Sequence, residues 1–504
     1  KFIDQYPIEV EPELLPELDA EFAKLDTREF NIFEVTKLTK GQPLQFILWR
    51  CLRSYNLFDS LDLPTPKVKN FLKLLESRYH EVPYHNREHA ADVVQTVHFY
   101  IKSGLQEYLS DIEILAILIA AACHDAEHNG VNNAFHVRCG THIALLHNDQ
   151  SVLENHHCSV AWSLLARRDC NFIANFTVEQ QRQFREMVID MILATDMSCH
   201  VELIRDFKGV LALRGPALQE WSRKEYALMR KMLVHAADIS NPTKPRDWNN
   251  IWGTRVLNEF FGQGEREREL NLPVSFDPDN WPIAENQIGF FNFAAVPTFE
   301  LMSQFLPALT VCSATIQENL RFWEAVRDGA EAFELARIPY DTIPVMPPDL
   351  SHLVTKMDPL MPSSRRWMLP TSPPTPHTPA SGGIPEHPLV VDTWRRTGQS
   401  PVVSPMMTPS PSEIYQRNAE PLSLAPLAVN DAASSVASVD EDTVHSPSLS
   451  ALALVGLALD SQEELRAEKS ENGVSDNGDD RTQSTERAGV RDEEGPDSAP
   501  PAPS

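Results

Sequence analysis

Three separated runs of the sequence each place histidine and aspartate within strongly helical, apolar surroundings. They read YHNREHAAD at 84–92, CHDAEH at 123–128 and HAADISNP at 235–242. In two of these runs a pair of histidines is four residues apart, so each pair shares one face of a helix. Imidazole and carboxylate are the ligands that hold Zn²⁺ and similar divalent ions. We therefore expect the fold to bring three distant segments together at a metal site.

The sequence around these runs predicts an all-α domain. The stretch 111–123 (DIEILAILIAAAC) is apolar almost all round, which indicates a buried helix capped by Ser110 or Asp111. Residues 67–79 show the period of an amphipathic helix, and residues 177–195 and 222–240 each predict a long helix that ends in a polar run. Trp, Gly and Pro cluster at 242–253 and 273–297, which we interpret as loops. Strand-like alternation is scarce, so we predict the all-α class.

Composition divides the chain into three parts. Residues 1–24 are acidic and interrupted by proline, which predicts a loose N-terminal lead-in before a helical domain at 25–345. Residues 346–504 hold about half of the 39 prolines and many serines and threonines, so we expect a disordered acidic tail. Its Ser-Pro and Thr-Pro steps suggest the hypothesis that proline-directed kinases modify the tail. The alternative is that such steps arise by chance in a tail of this composition.

Charge and cysteine usage exclude several classes of protein. The formal net charge of −27 argues against a nucleic-acid binder, whose interface is normally basic. No run approaches ~18 uninterrupted apolar residues, so no transmembrane segment is predicted. The 7 cysteines form no C-x-x-C pair, which is typical of core thiols in a reducing compartment and favours a cytoplasmic location.

The sequence closely resembles the catalytic domain of the class I 3′,5′-cyclic nucleotide phosphodiesterases, within the HD-type metallohydrolase superfamily. The resemblance covers roughly residues 25 to 340 and implies a compact multi-helix domain. The matching runs occur in the family's order: YHNREHAADV (84–93), HDAEHNG (124–130), SVLENHH (151–157), LATDMS (193–198), HAADISNP (235–242) and NQIGFFNF (286–293).

The resemblance implies a site with two divalent metal ions. The ligands of the tightly bound ion, expected to be Zn²⁺, match His89, His124, Asp125 and Asp238. Asp125 also matches the carboxylate that bridges to a second ion, expected to be Mg²⁺ or Mn²⁺.

The remaining catalytic groups are implied in the same way. The groups that hold the water ligands of the second ion match His128, Glu154 and Thr195. His85 matches the general acid that protonates the O3′ leaving group, and Glu154 falls where a carboxylate could keep His85 charged. His156, His157 and His200 are expected to be structural or surface residues.

A further set of positions implies a pocket for the purine base. Gln287 matches the glutamine that reads the base, since a carboxamide offers both donor and acceptor. Phe290 and Val256 match the two walls that clamp the base, and Tyr84, Asn241 and Trp252 match pocket-lining positions. Asn129 stands where the family often has proline, which we expect to alter a turn rather than a ligand. Val256 stands where isoleucine or leucine is common, which slightly widens the slot.

The resemblance implies hydrolysis of 3′,5′-cyclic nucleotides to 5′-nucleoside monophosphates, with cAMP favoured and cGMP also possible as substrate. A second interpretation is an HD-type metallohydrolase that acts on a different phosphate ester; Gln287 and Phe290 argue against it because that pair suits a purine. A third is a scaffold whose tail docks partners while the helical domain only binds cyclic nucleotide. The intact His85 and metal ligands argue against binding alone.

Overall fold

The computed structural model describes residues 5–339, and within that range it contains helices and no β-strand, which confirms the predicted all-α class. The helices of the first half are Leu15–Phe22 (α1), Ile32–Leu38 (α2), Pro43–Ser54 (α3), Leu57–Ser60 (α4), Thr65–Glu76 (α5), Arg87–Tyr100 (α6), Asp111–Cys123 (α7), Asn133–Arg138 (α8) and His142–Leu146 (α9). Those of the second half are Val152–Ala166 (α10), Val178–Leu193 (α11), His200–Arg214 (α12), Arg223–Asp238 (α13), Arg246–Glu269 (α14), Ile283–Phe290 (α15), Val296–Phe305 (α16) and Thr310–Arg327 (α17). Short 3₁₀ turns and two π-helical segments, Ile101–Leu105 and Phe291–Ala295, connect some of them.

Helix α7 forms the centre of the core, as the apolar stretch predicted. Every residue from 114 to 123 is at most 2% exposed, and each isoleucine or leucine there contributes roughly 1.5–3 kcal/mol through burial. Ser110 caps the helix in a reciprocal arrangement with Glu113. Helices α3, α6, α11 and α13 pack around it. The two residues that follow α7, His124 and Asp125, are thus held by the most deeply buried helix of the domain.

The predicted long helices at 177–195 and 222–240 are present as α11 and α13. Thr177 and Ser222 cap their starts, each paired with a side chain three residues on. Helix α5 buries the face that the sequence indicated, and Tyr79, just beyond its end, donates a hydrogen bond of 2.8 Å to the carbonyl of Ala122 in α7. These helices therefore carry the polar runs to the interior of the domain.

The two segments interpreted as loops are largely helical, so that interpretation was wrong. Helix α14 runs through most of the first segment, and α15 with the π-helical turn fills much of the second. Pro245 and Pro282 immediately precede α14 and α15, and Pro297 lies in the first turn of α16. Proline suits these positions because its fixed φ fits a helix start and it lacks only a donor that has no partner there. The prolines thus mark helix beginnings.

The N-terminal part is also more ordered than the predicted loose lead-in. Residues 15–22 form α1, with Pro16 in its first turn, and Leu18 and Phe22 are buried in the core. Tyr6 packs on Phe22 with ring centroids 5.7 Å apart. The predicted disordered tail at 346–504, with its kinase sites, lies outside the described residues. Between residues 5 and 339, each helix is too short or too polar to span a bilayer.

Candidate metal centre and active site

The ends of three helices bring His89, His124, Asp125 and Asp238 together. His89 lies in the first turn of α6, whose N-cap Asn86 accepts hydrogen bonds from two backbone amides of that turn. His124 and Asp125 follow α7, and Asp238 is the last residue of α13. One ligand-type atom from each of the four side chains lies within 4.8 Å of the other three. The three sequence runs therefore meet at one place.

The geometry of this cluster fits a bound cation. The Nε2 atoms of His89 and His124 lie 2.9 and 3.2 Å from Oδ1 of Asp238, and 3.3 Å from each other. Nδ1 of His124 donates to the carbonyl of Ala121 at 2.9 Å, so its Nε2 directs a lone pair to the centre. Oδ2 of Asp125 is buried without a hydrogen-bond partner of acceptable geometry, although Nε2 of His124 is 3.0 Å away. Converging nitrogen and oxygen lone pairs are the donor set of a zinc-type site.

Electrostatics also favour a cation at this centre. Burial opposes ionisation of Asp125 and Asp238, but the charge and hydrogen bonds of His124 outweigh it and lower the pKa of both carboxyl groups. Burial likewise lowers the pKa of His124, and the two carboxylates outweigh that effect and raise it well above its ordinary value. Both carboxylates are thus ionised at neutral pH. A divalent ion held by these residues would balance their charge in place of the imidazole proton.

His85 lies beside the cluster and pairs with Glu259 of α14. Its Nδ1 makes a close hydrogen bond to the Glu259 carboxylate, which also accepts from the backbone amides of Tyr84 and His85 at 2.8 and 3.0 Å. Burial lowers the pKa of His85, but the charge and hydrogen bond of Glu259 outweigh it and raise the pKa to about 9. His85 is therefore a cation at neutral pH, and its Nε2–H is free of this pair.

The ring of His128 stacks on that of His85, with centroids 4.0 Å apart. Burial and the neighbouring positive charge of His85 lower the pKa of His128 well below its ordinary value, so His128 stays neutral. His85, His128 and Glu259 also offer ligand atoms within 4.8 Å of one another. Their direct hydrogen bond and ring stacking account for that approach without an ion.

The expected pairing of Glu154 with His85 was wrong. Glu154 accepts a hydrogen bond of 3.0 Å from Nδ2 of Asn133, and Glu259 takes the place beside His85. Burial, assisted by the nearby charge of Asp196, raises the pKa of Glu154 to about 8. A positive charge nearby would stabilise the ionised form of such a buried carboxyl group. Its expected place around a second ion stays a prediction.

Several other polar residues surround the centre. Thr195 is buried and its hydroxyl donates to the carbonyl of Ile192 at 2.8 Å. Nε2 of His157 lies 3.8 Å from Oδ1 of Asp125, while its Nδ1 donates to a backbone carbonyl. Asn129 is buried and its Oδ1 accepts from a ring nitrogen of His136 at 3.1 Å, away from the four clustered side chains. The departure at this position therefore leaves the metal cluster intact.

The predicted base-pocket residues fall into two groups. Tyr84 contacts both Asn241 and Trp252: the amide of Asn241 donates to the Tyr84 hydroxyl, and the Tyr84 and Trp252 ring centroids are 5.7 Å apart. Tyr84 also packs on His89, with centroids 4.6 Å apart, which connects this group to the metal cluster. The second group is Gln287 and Phe290 on α15, whereas Val256 lies one turn after Trp252 on α14. Val256 and Phe290 are partly buried against the same hydrophobic core.

The fold and the cluster define a helical domain whose His/Asp cluster could hold a metal ion, and comparisons with known proteins specify its class. The family model for 3′,5′-cyclic nucleotide phosphodiesterases matches residues 84–316. The calcium/calmodulin-dependent, dual specificity 3′,5′-cyclic nucleotide phosphodiesterase 1C of Mus musculus is 40% identical over 285 residues, which is 55% of this chain and 39% of the relative. The 1B enzyme of Homo sapiens, described in the same words, is 40% identical over 284 residues, 55% of this chain and 52% of the relative.

A solved structure agrees with the sequence relatives. The phosphodiesterase domain of the RhoPDE fusion protein of Salpingoeca rosetta is 30% identical, with a TM-score of 0.54, and the match covers 62% of this chain and 99% of that domain. The chain belongs to the class I 3′,5′-cyclic nucleotide phosphodiesterase family. It spans between about two fifths and half of the length of the curated relatives named above.

Proposed function

We propose that this chain hydrolyses the 3′ phosphoester bond of 3′,5′-cyclic nucleotides to 5′-nucleoside monophosphates and so terminates cyclic nucleotide signalling. The observation that carries the proposal is the approach of two histidines and two aspartates at one centre beside a cationic His85. We take cAMP as the favoured substrate and cGMP as a second one. The description "dual specificity" of the mouse and human relatives supports turnover of more than one nucleotide.

The proposed metal ligands are His89, His124, Asp125 and Asp238, with Zn²⁺ as the ion. Asp125 would also bridge to Mg²⁺ or Mn²⁺, whose waters are proposed to be held by a second set of residues, namely His128, Glu154 and Thr195. The buried Oδ2 of Asp125 has no hydrogen bond of acceptable geometry, which supports the assignment of Asp125 as a ligand. Divalent ions bound there would supply a nucleophile from water at neutral pH and neutralise charge on the phosphoryl oxygens.

His85 is the proposed general acid, and it donates a proton to the departing O3′ of the sugar. A general acid must be protonated at the working pH and must reach the leaving group. Glu259 supports the first requirement because it keeps the pKa of His85 at about 9. Because Nδ1 is held by Glu259, Nε2–H is the atom that gives up the proton. His128, which stays neutral, stacks on the His85 ring and limits its rotation.

The base is proposed to lie between Phe290 and Val256, with the Gln287 carboxamide paired to its edge. Gln287 and Phe290 lie in the last turn of α15, three residues apart, so both project from one side of that helix. Tyr84, Asn241 and Trp252 would line the adjoining part of the pocket. Tyr84 and Asn241 are joined by a hydrogen bond, which gives that wall a fixed shape before substrate binds.

The test is hydrolysis of cAMP and of cGMP by the purified 504-residue chain, before and after removal of metal by a chelator. We expect turnover with Mg²⁺ present, loss on stripping, and recovery when Zn²⁺ and Mg²⁺ or Mn²⁺ are restored. The ratio of kcat/KM for the two nucleotides gives the substrate preference. Absence of turnover in folded, metal-loaded protein would refute the proposal.

A cytoplasmic location and phosphorylation of the tail are further proposals, supported by the cysteine usage and by the Ser-Pro and Thr-Pro steps. Mass spectrometry of the native protein tests the second. Unmodified peptides across every such step would end it.

A further inference from the structure

Glu267, near the end of α14, is a buried carboxylate that accepts four hydrogen bonds. The backbone amide of Ser275 donates to Oε2 at 2.5 Å, and the Ser275 hydroxyl donates to Oε1 at 2.9 Å. Nε2 of Gln263 donates to Oε1 at 2.9 Å, and a guanidinium nitrogen of Arg138 donates to the same oxygen at 3.4 Å. Glu267 is fully buried. A charge so buried is stable only with this complete set of donors.

Arg138 extends the network from helix α8. Its guanidinium donates to the Ser275 hydroxyl at 3.1 Å and to the carbonyl of Pro273 at 3.3 Å. Gln263, one turn before Glu267, accepts from the backbone amide of Asn132 at 2.9 Å. The α14–α15 connection (residues 270–282) is thus tied at Pro273 and Ser275 to both α14 and α8.

The same connection lies unusually close to α14 at a second point. A Cβ atom added at Gly264 would lie 1.9 Å from the carbonyl oxygen of Phe276, so only glycine permits this approach. Phe276 is buried, stacks on Phe260 with centroids 4.5 Å apart, and contacts Trp281 at 5.3 Å. The connection is therefore a fixed spacer between α14 and α15.

That spacer separates the two functional parts of the proposed site. Positions 256, 259, 263 and 267 share one face of α14, because they recur every three or four residues. Glu259 holds His85, whereas Gln287 and Phe290 lie on α15, beyond the spacer. Glu267 is eight residues from Glu259, about 12 Å along the helix, so it does not touch the group that Glu259 holds. Its influence on the site passes through the connection.

We propose that Glu267 is a positioning residue for the purine base: with Arg138 and Ser275 it fixes the α14–α15 connection and thereby the place of Gln287 and Phe290. This inference rests on the proposed function, since it concerns how that same site holds the base. Glu267 governs nucleotide binding, and the hydrolytic step depends on His85 and the metal centre. Loss of the network should therefore raise KM and leave kcat nearly unchanged.

The test uses Glu267→Gln in the full chain. All four partners of the carboxylate are donors, so a carboxamide of the same shape opposes at least one of them with its own NH₂ group. The matched control is Glu265→Gln, the same substitution on the same helix at a partly exposed ion pair with Arg268. We expect the KM for cAMP and cGMP to rise about tenfold in Glu267→Gln, with kcat within about twofold of wild type, and no change in the control.

A second measurement needs no activity. Hydrogen exchange of backbone amides at 272–290 should be faster in Glu267→Gln than in wild type, with α7 unchanged. Unchanged exchange there, or a fall in kcat at constant KM, would overturn the inference. If Glu267→Gln does not fold, Ser275→Ala, which removes one donor, is judged by the same two criteria. A wild-type chain that turns over neither nucleotide would refute the proposed function instead, while the exchange result still decides whether Glu267 fixes the connection.

Discussion

The pairing of His85 with Glu259 leads to a sharp prediction for Glu259→Gln. The carboxylate accepts from His85 Nδ1 and from the backbone amides of Tyr84 and His85. A glutamine of the same shape can keep its oxygen on the two amides and turn its NH₂ toward Nδ1. That group donates to the neutral imidazole and removes the negative charge that stabilised the cation. The substitution therefore changes the protonation of His85 while leaving the backbone contacts in place.

The size of the effect follows from the pKa of His85. Glu259 holds it at about 9 against burial, which alone lowers it below the ordinary 6.5. At pH 8 a group of pKa 9 is about 90% protonated, whereas one of pKa 6.5 is about 3% protonated. If His85 must donate a proton to O3′, kcat/KM of Glu259→Gln should be at least about 30-fold lower at pH 8. The deficit should shrink as the pH is lowered toward 6, because His85 then regains its proton.

The assay is the pH dependence of kcat/KM for cAMP from pH 6 to pH 9.5, with metal ions at saturation. This parameter reports the ionisation of the free enzyme. Glu265→Gln serves as the control, because it is the same substitution on the same helix at a partly exposed ion pair with Arg268. Its kcat/KM should match that of wild type across the same pH range. A constant ratio for Glu259→Gln across the whole range would refute the assignment of His85 as the acid that Glu259 keeps charged.

Three further predictions concern the metal centre, the core and the tail. Asp238→Ala should abolish turnover and bound zinc, measured by elemental analysis, with helical circular dichroism retained; a loss of only a few-fold would contradict the ligand assignment. Burial raises the pKa of Glu76 to about 7 from 4.5, so the folded state keeps a proton that the unfolded state releases, and stability should fall by about 3 kcal/mol as the pH rises from 4.5 to 7. The free energy of unfolding, measured with urea at pH 5 and pH 8, should show that decline in wild type and no such decline in Glu76→Gln. Equal declines in the two proteins would count against the role of Glu76. A chain lacking residues 351–504 should have the kcat/KM of the full chain. A large fall in kcat/KM on truncation would favour a catalytic role for the tail.

The parts of the fold that were predictable are those in which the local pattern and the tertiary packing agree. The stretch 111–123 is apolar on every face, so it can only be a buried helix, and it is the central one. Thr177 and Ser222 are cap residues followed three positions later by Gln and Glu, which fixes where α11 and α13 begin. Because α7 and α13 end in two of the three histidine and aspartate runs, the approach of those runs was predictable with the helices.

The errors came from residues whose meaning depends on tertiary contacts. Pro245 and Pro282 were taken as loop signals, but each stands directly before a helix. The same proline can end one element or begin another, and only the packing of the following residues decides between them. Residues 1–24 were judged by their charge and their prolines, although Leu18 and Phe22 bury one face of a short helix.

The carboxylate that holds His85 was the most consequential omission. Glu259 and Glu154 are both glutamates within helical sequence, and nothing local distinguishes the partner of a histidine 174 positions away from one 69 positions away. A signal exists once α14 is recognised as a helix, since Trp252, Val256 and Glu259 then share one face. A charged residue on a face that otherwise lines a pocket must find a partner there, because a buried carboxylate without one is unstable. The loop interpretation of 242–253 covered the first two turns of α14, including Trp252, so the helix that carries Glu259 was not predicted and neither was the partner of His85.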